Sequence, residues 1–247
     1  MSTKITWLGH ASVKIEFKNH IVFFDPWLDD NPACSLKVAD VDKATVVCPT
    51  HGHIDHLGDS FALVKKTGAT LICTPEIGFY ADTHGLKEGE QVYSLNTSGT
   101  WRGPGFDIIM VPAAHTSEIM GEGWVAGPIQ PGAGAIGYVL DIADGPSIYF
   151  GGDTGVSLEM GLIRDLYQPD VSILGVGGKY NMGPREAGYA AGLLGSRLIL
   201  PIHYNTFPDQ ILDKVWLERE VAMRARRTRI VFINPGESFT VQSAPSA

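Results

Sequence analysis

The amino-acid sequence predicts an α/β fold, a four-layer αββα sandwich, on two observations. Strand-like runs open each half of the chain and then alternate with helix-like stretches. No linker of low complexity separates the halves, so residues 1–247 are expected to form one domain. Two sheets facing each other, with helices outside, are the simplest packing of that order.

The elements follow in turn. In Ser12-Val13-Lys14-Ile15-Glu16-Phe17 the apolar side chains fall on one face and the charges on the other, as in a half-buried strand. Residues 21–24 come after Asn19-His20 and suggest a hairpin. Residues 45–48 and 70–73 are short strand-like runs, with a helix expected at 60–66 between them. A second helix is expected at 77–84 and a strand at 106–111. In the second half, 136–141 and 147–150 read as strands paired about Asp144-Gly145. Residues 158–167 have helical spacing and stop before Pro169. Apolar strands at 171–174 and 198–200 flank a helix at 184–194; a helix at 213–226 and a strand at 229–233 complete the series. The glycine-rich stretch 121–134 reads as a long loop, and 242–247 as a frayed tail.

A 247-residue chain can bury roughly three quarters of its unfolded surface in one domain, so it needs no covalent staples. Its net charge of −8 has the wrong sign for holding a phosphate backbone, and no nucleic-acid partner is expected. Cys34, Cys48 and Cys73 form no CxxC pair and leave an odd thiol, which fits a reducing compartment. Residues 1–10 lack the apolar run of a signal peptide, and no stretch approaches the roughly 18 apolar residues of a membrane span. A cytoplasmic protein away from membranes is expected; whether it forms a homo-oligomer is open.

The chemistry concentrates in Thr50-His51-Gly52-His53-Ile54-Asp55-His56-Leu57-Gly58-Asp59, which follows an apolar strand and is read as a loop at a sheet edge. In extended backbone, residues two apart point the same way, so His51 and His53 can grip one ion. Asp55 and His56 come one step later and can reach a second. His-x-His-x-Asp-His arises by chance in roughly one chain in a few thousand of ordinary composition. Two ions need more ligands, and His115, Asp153 and His203 each stand just beyond an apolar strand. Five histidines and two carboxylates then make the set. Mixed imidazole and carboxylate ligation suits zinc, the first expectation, and equally manganese, iron or nickel.

The order His51-x-His53-x-Asp55-His56, His115, Asp153, His203 resembles the metallo-β-lactamase superfamily. Trp7-Leu8-Gly9-His10-Ala11-Ser12, Phe24-Asp25-Pro26, Gly151-Gly152-Asp153-Thr154 and Pro201-Ile202-His203-Tyr204-Asn205-Thr206-Phe207-Pro208 resemble one branch of it. That branch comprises metal-dependent hydrolases related to the ascorbate-6-phosphate lactonases, and the likeness runs from Lys4 to about Val241. It implies that His51, His53 and His115 bind one ion, that Asp55, His56 and His203 bind the other, and that Asp153 bridges. It also implies a pocket role for His10, as a substrate contact or proton donor; Asp55 and His10 are the candidate catalytic residues. Met182-Gly183-Pro184 resembles a family loop, but Gly178-Lys179-Tyr180-Asn181 departs from the Asp and Thr usual before it.

Two divalent ions about 3.5–4 Å apart lower the pKa of a shared water towards 7. The expected reaction is therefore attack by a bridging hydroxide on a small ester, lactone or phosphate-bearing substrate. Asp25 and Asp59 are candidates to hold the far nitrogens of the ligand imidazoles, and Asp59 alternatively to cap the helix after it. The cluster Arg224, Arg226, Arg227 and Arg229 reads as the solvated end of a helix. Gly132-Ala133-Gly134-Ala135-Ile136-Gly137 matches GxGxxG but precedes a strand, the wrong context for a dinucleotide. A phosphodiesterase or nuclease shares the metal motif but calls for a basic surface. A di-iron oxidoreductase calls for Glu where His53 stands. A non-catalytic metal-binding protein would lack ligands, and none is missing.

Overall fold

The alternating amino-terminal runs fold as an antiparallel meander. In the computed structural model, which describes residues 2–119 and 130–242, β1 (Ser2–Gly9), β2 (Ser12–Phe17) and β3 (His20–Phe24) pair in sequence. The chain then changes idiom: β4 (Val46–Cys48), β5 (Thr70–Cys73) and β6 (Val92–Ser94) add in parallel to β3. Parallel neighbours need crossovers. The turn α1 (Ile54–Leu57) and helix α2 (Ser60–Thr67) form the one between β4 and β5, and α3 (Pro75–Thr83) the next.

The second sheet repeats the pattern. β7 (Thr100–Gly103), β8 (Phe106–Pro112), β9 (Ile136–Ile142) and β10 (Ser147–Phe150) are antiparallel. After helix α4 (Glu159–Tyr167), strand β11 (Val171–Gly175) joins in parallel. Helix α5 (Pro184–Leu194), β12 (Leu198–Ile202), α6 (Lys214–Arg224) and the two-residue β13 (Arg229–Ile230) extend the parallel half. Finally β14 (Ser238–Gln242) crosses back to pair with β1, so Gln242 belongs to a strand rather than the expected tail. The orders are β14-β1-β2-β3-β4-β5-β6 and β13-β12-β11-β10-β9-β8-β7.

Burial sorts the layers. Ile15, Phe24, Val46, Cys48 and Ile72 face Ile108, Tyr138, Leu140 and Phe150 across the space between the sheets, with the Phe24 and Phe150 rings stacked 4.8 Å apart. The opposite faces of β3, β4 and β5 present Phe23, Val47 and Leu71 to a second apolar cluster with Leu63 and Ile77 of α2 and α3. A strand buried on both faces must be apolar at nearly every position, which is why residues 46–48 and 71–73 do not alternate. The αββα sandwich is the fold observed.

Local chemistry corrects several boundaries. Pro75 occupies the first turn of α3, where its missing N–H is harmless, so the helix begins two residues before the expected 77. The side chain of Asp213 accepts from the Trp216 amide at 2.9 Å and caps α6, which starts at Lys214. Of the strand expected at 229–233, only Arg229 and Ile230 pair with β12. Residues 121–129 of the expected glycine-rich loop and 243–247 of the expected tail lie outside the described residues. Among the described residues no helix is long and apolar enough to cross a membrane.

Candidate metal centre

Six strands of like direction bring the polar residues together. β1, β3 and β4 run one way in the first sheet, and β8, β10 and β12 do so in the second. Directly beyond or soon after their carboxyl ends stand His10, Asp25, His51, His115, Asp153 and His203. Backbone bonds lock the two rims: the His203 amide donates to the His10 carbonyl at 2.8 Å, and Ile136 to Thr50 at 3.2 Å. His10, Asp25 and His203 all have left-handed backbone, with φ of 52°, 45° and 58°. Such conformations cost energy in non-glycine residues and collect at functional sites. At Gly152, where φ is 57°, a Cβ would lie 2.6 Å from Thr50 Oγ1; only glycine lets Asp153 approach.

The seven expected ligands converge, with His10, in three overlapping groups whose ligand atoms lie within 4.8 Å of one another. These are His51, His53 and His115; His51, His56 and Asp153; and His10, Asp55, His56 and His203. The segment bearing four of them is not wholly extended. His53 has extended backbone, but Ile54–Leu57 makes one helical turn. His51 and His53 therefore project together as expected, while Asp55 and His56 are turned inward by α1.

The hydrogen bonds behind the imidazoles fix which nitrogen is free. Asp25 is fully buried. It accepts from the Thr50 amide at 2.6 Å, from Thr50 Oγ1 at 2.8 Å and from His56 Nδ1 at 2.6 Å. With its proton given to Asp25, Thr50 Oγ1 is left to accept from His51 Nδ1, 3.0 Å away. Glu118 Oε2 lies 3.2 Å from His53 Nε2 and accepts its proton. This network assigns lone pairs to His51 Nε2, His53 Nδ1 and, once its second proton leaves, His56 Nε2.

That assignment is the test of whether a cation fits. His51 Nε2 and His53 Nδ1 face each other at 2.9 Å, and with the outer protons placed as above both present lone pairs. His56 Nε2 and His203 Nε2 are buried without a hydrogen-bond partner. His56 Nε2 lies 3.6 Å from Asp153 Oδ2 and 3.8 Å from Asp55 Oδ2. His203 Nε2 lies 3.3 Å from Asp153 Oδ1 and 3.7 Å from Asp55 Oδ2, and His115 Nε2 is 3.7 Å from Asp153 Oδ2. Ligands bonded to one zinc-sized ion at 2.0–2.2 Å and tetrahedral angles sit roughly 3.4 Å apart. Buried imidazole nitrogens without a partner, with carboxylates at such spacings, fit divalent cations.

Electrostatics agree. Burial drives the His51 imidazole well below its ordinary range and lowers that of His115, so both are neutral, as ligands must be. Burial pushes the Asp153 and Asp55 carboxyls up, but neighbouring imidazoles outweigh it and hold both well below the usual carboxylate range. Burial disfavours charge on His56 too, yet Asp25, Asp153 and Asp55 overcome it and raise its proton affinity. A cation taking the place of the proton on Nε2 meets Asp55 and Asp153, while Asp25 keeps the proton on Nδ1.

His10 is placed differently from the expected pocket position. It is fully buried, and the described residues lining the cavity over the cluster do not include it. Its ring lies 3.7 Å from that of His203, and its Nε2 is 2.9 Å from Asp55 Oδ2. Burial outweighs the Asp55 contact and pushes its imidazole down to about 4, so it is neutral and Nε2–H donates to the carboxylate. Asp59 makes neither expected contact: it accepts from the amides of Leu28 and Asp29 at 2.6 and 3.0 Å and pins that loop. Two further residues escaped the sequence reading. Glu118 carried no signal beyond lying three residues after His115. Asn181 donates from Nδ2 to Asp153 Oδ1 at 3.0 Å, and its own Oδ1 accepts from the Gly177 amide at 2.6 Å. It occupies the segment that departs from the family pattern, which was its only signal.

The comparisons with known proteins agree with this geometry. Residues 20–204 match the model of the β-lactamase superfamily domain. A UPF0173 metal-dependent hydrolase of Methanopyrus kandleri is 41% identical over 236 residues, covering 96% of this chain and 99% of its own. The chain belongs to this family of metal-dependent hydrolases. A second member, from Koribacter versatilis, is 37% identical over 206 residues, covering 83% of this chain and 85% of its own. Among solved structures, a metallo hydrolase from the hyperthermophilic archaeon Ignicoccus hospitalis superposes with a TM-score of 0.82 at 30% identity, covering 99% of this chain and all of that one. The protein is thus a metal-dependent hydrolase of the metallo-β-lactamase fold, with a His/Asp cluster able to hold metal.

Proposed function

We propose that the chain holds two divalent ions, which supply a shared hydroxide as nucleophile and polarise the carbonyl or phosphoryl oxygen of a small ester, lactone or phosphate-bearing substrate. The observation carrying this reading is the position of Asp153. Its Oδ2 lies between His115 on one side of the cluster and His56 on the other, at 3.7 and 3.6 Å. His51, His53 and His115 hold one ion; Asp55, His56 and His203 hold the second; Asp153 joins them. Zinc is the first candidate, with manganese, iron or nickel suiting the same donors. Thr50 and Asp25 keep the ligand nitrogens unprotonated, and Asn181 fixes the turn of the Asp153 carboxylate. Protein reconstituted with excess zinc or manganese is expected to carry two ions per chain by elemental analysis and to hydrolyse lactones or esters. Saturation at one ion would overturn the dinuclear centre.

In this reading Asp55 is both a ligand and the candidate catalytic carboxylate, and His10 acts through it. By donating to Asp55 Oδ2, His10 leaves the other carboxylate oxygen to turn towards substrate and proton. Contacts of this kind are worth about 10–100-fold in metal affinity or activity. His10→Ala is expected to keep two ions at saturating metal, bind the second more weakly, and lower kcat about 10–100-fold with little change in KM. His10→Gln, which retains a donor, should recover part of the loss. A rise confined to KM would make His10 a substrate contact, and failure to hold a second ion at saturation would make it a ligand.

A further inference from the structure

The cavity above the cluster measures about 890 Å³, far more than a scissile bond and its water require. Its floor is His53, Asp55, His115 and Asp153. Its outer wall is of another character: Tyr180 from the segment after β11 faces the cavity, as do Phe207 and Pro208 from the segment after β12. The Phe207 ring is held from behind, edge-on to His10 at 5.6 Å and stacked on Trp27 at 6.4 Å. A fixed aromatic face and a half-exposed one thus flank the approach to the floor.

The charges on this wall are paired with each other. Among the described residues lining the cavity there is no lysine or arginine, while Asp209 is present. The nearest cation in the sequence of the wall, Lys179, forms an ion pair with Asp209, and its ammonium lies 4.9 Å from the Tyr180 ring centre. The pair ties the two wall segments together. A phosphate carried by a substrate away from its scissile bond is ordinarily met by arginine or lysine. Here the one nearby ammonium is already paired with Asp209, so a phosphate drawn to it would lie beside a carboxylate.

We infer that the handle by which this enzyme recognises its substrate is an uncharged apolar or aromatic group packed between Tyr180 and Phe207, and that a distal phosphate is excluded. This rests on the hydrolase reading and narrows it to neutral esters and lactones with an apolar arm. The reaction adds water across the acyl–oxygen bond. A C–O bond forms to the carbonyl carbon, the bond to the leaving oxygen breaks, and that oxygen takes the proton, giving a hydroxy acid from a lactone.

The test compares three δ-lactones on zinc- or manganese-loaded protein: δ-valerolactone, δ-decanolactone, and δ-valerolactone with a phosphooxymethyl group at the carbon that bears the pentyl arm. A fully buried methylene multiplies affinity roughly fourfold. A pentyl arm lying partly against the two rings should therefore raise kcat/KM about 10–100-fold over δ-valerolactone, and the phosphorylated compound should fall below it. Tyr180→Ala should pull the decanolactone-to-valerolactone ratio towards one. Equal kcat/KM for the first two, or preference for the phosphorylated lactone, would overturn the inference while leaving the hydrolase reading intact. Binding is read separately, by saturation-transfer NMR of δ-decanolactone on metal-free protein. Tyr180-dependent binding of the pentyl arm without turnover in the loaded enzyme would sustain the apolar handle and count against hydrolysis of this class. Binding unaffected by Tyr180→Ala would overturn the handle.

Discussion

Asp153→Asn is expected to lower kcat by at least ~10²–10³-fold, roughly 3–4 kcal/mol, and to leave at least one ion weakly bound. The size follows from how the carboxylate is held. Asn181 Nδ2 donates to Asp153 Oδ1 at 3.0 Å, and Asn181 is itself pinned by the Gly177 amide. In the variant, the amide oxygen takes the Oδ1 position because only it can accept from Asn181. The amide NH₂ then occupies the place of Oδ2, between His56 and His115, and points donor hydrogens where a ligand oxygen is needed. Shape is kept and sign is reversed. Far-UV circular dichroism should stay near that of the parent, because the core between the sheets is untouched, while metal titration should show a weakened site. Two tightly bound ions and full activity in Asp153→Asn would remove Asp153 from the centre.

The residues of this centre were legible because ligation demands particular side chains at particular spacings. His51 to His56 form such a pattern, and His115, Asp153 and His203 are each the polar residue that ends an apolar run. What supports them was less legible. Asp25 was visible as one of two candidate carboxylates, with Asp59, and as part of the Phe24-Asp25-Pro26 motif, but nothing local showed which imidazole it would hold. The difference arises from topology: β3 and β4 are parallel neighbours, so the end of β3 lies against Thr50 and His56, whereas Asp59 is carried past them by α1 to the Leu28 and Asp29 amides. Glu118 and Asn181 act across distances in sequence that no local pattern encodes.

The fold shows the same division. Strands inside the sheets, β1 excepted, announced themselves by apolar runs or by the alternation of Val13, Ile15 and Phe17 with Lys14 and Glu16. The four edge strands are β14, β6, β13 and β7. Three of them were not foreseen, and the fourth was expected too long. An edge strand pairs on one side only, and β7 and β14 show little burial along Thr100–Gly103 and Ser238–Gln242, so neither needs an apolar face. Their pairing is dictated by the neighbouring strand. His10 illustrates the other limit. It was singled out by the family motif alone, and its burial behind Asp55 depends on β12 lying opposite, where the His203 amide reaches its carbonyl.

Asp25→Asn should disable the second ion site more selectively than Asp25→Ala, and the contrast tests whether Asp25 sets the His56 tautomer. In the parent, Asp25 accepts three hydrogen bonds, two from Thr50 and one from His56 Nδ1, leaving His56 Nε2 to face Asp55 and Asp153. An Asn amide can keep the bond from the Thr50 amide through its oxygen. Its NH₂ then meets Thr50 Oγ1 and His56 Nδ1, both formerly donors. The imidazole must accept at Nδ1 and carry its proton on Nε2, the nitrogen required as ligand. Affinity for the second ion should fall by about 100-fold, the upper end for partners of ligand imidazoles, with the fold largely retained. Asp25→Ala instead orphans several buried donors at about 1–3 kcal/mol each and puts alanine at φ 45°. It should lose roughly 3–5 kcal/mol of stability, as expected when one partner of a buried charged network is removed. Metal titration by calorimetry and urea denaturation on both variants separate the two effects. Parental affinity for both ions in Asp25→Asn would show that the proton on His56 is placed by something other than Asp25.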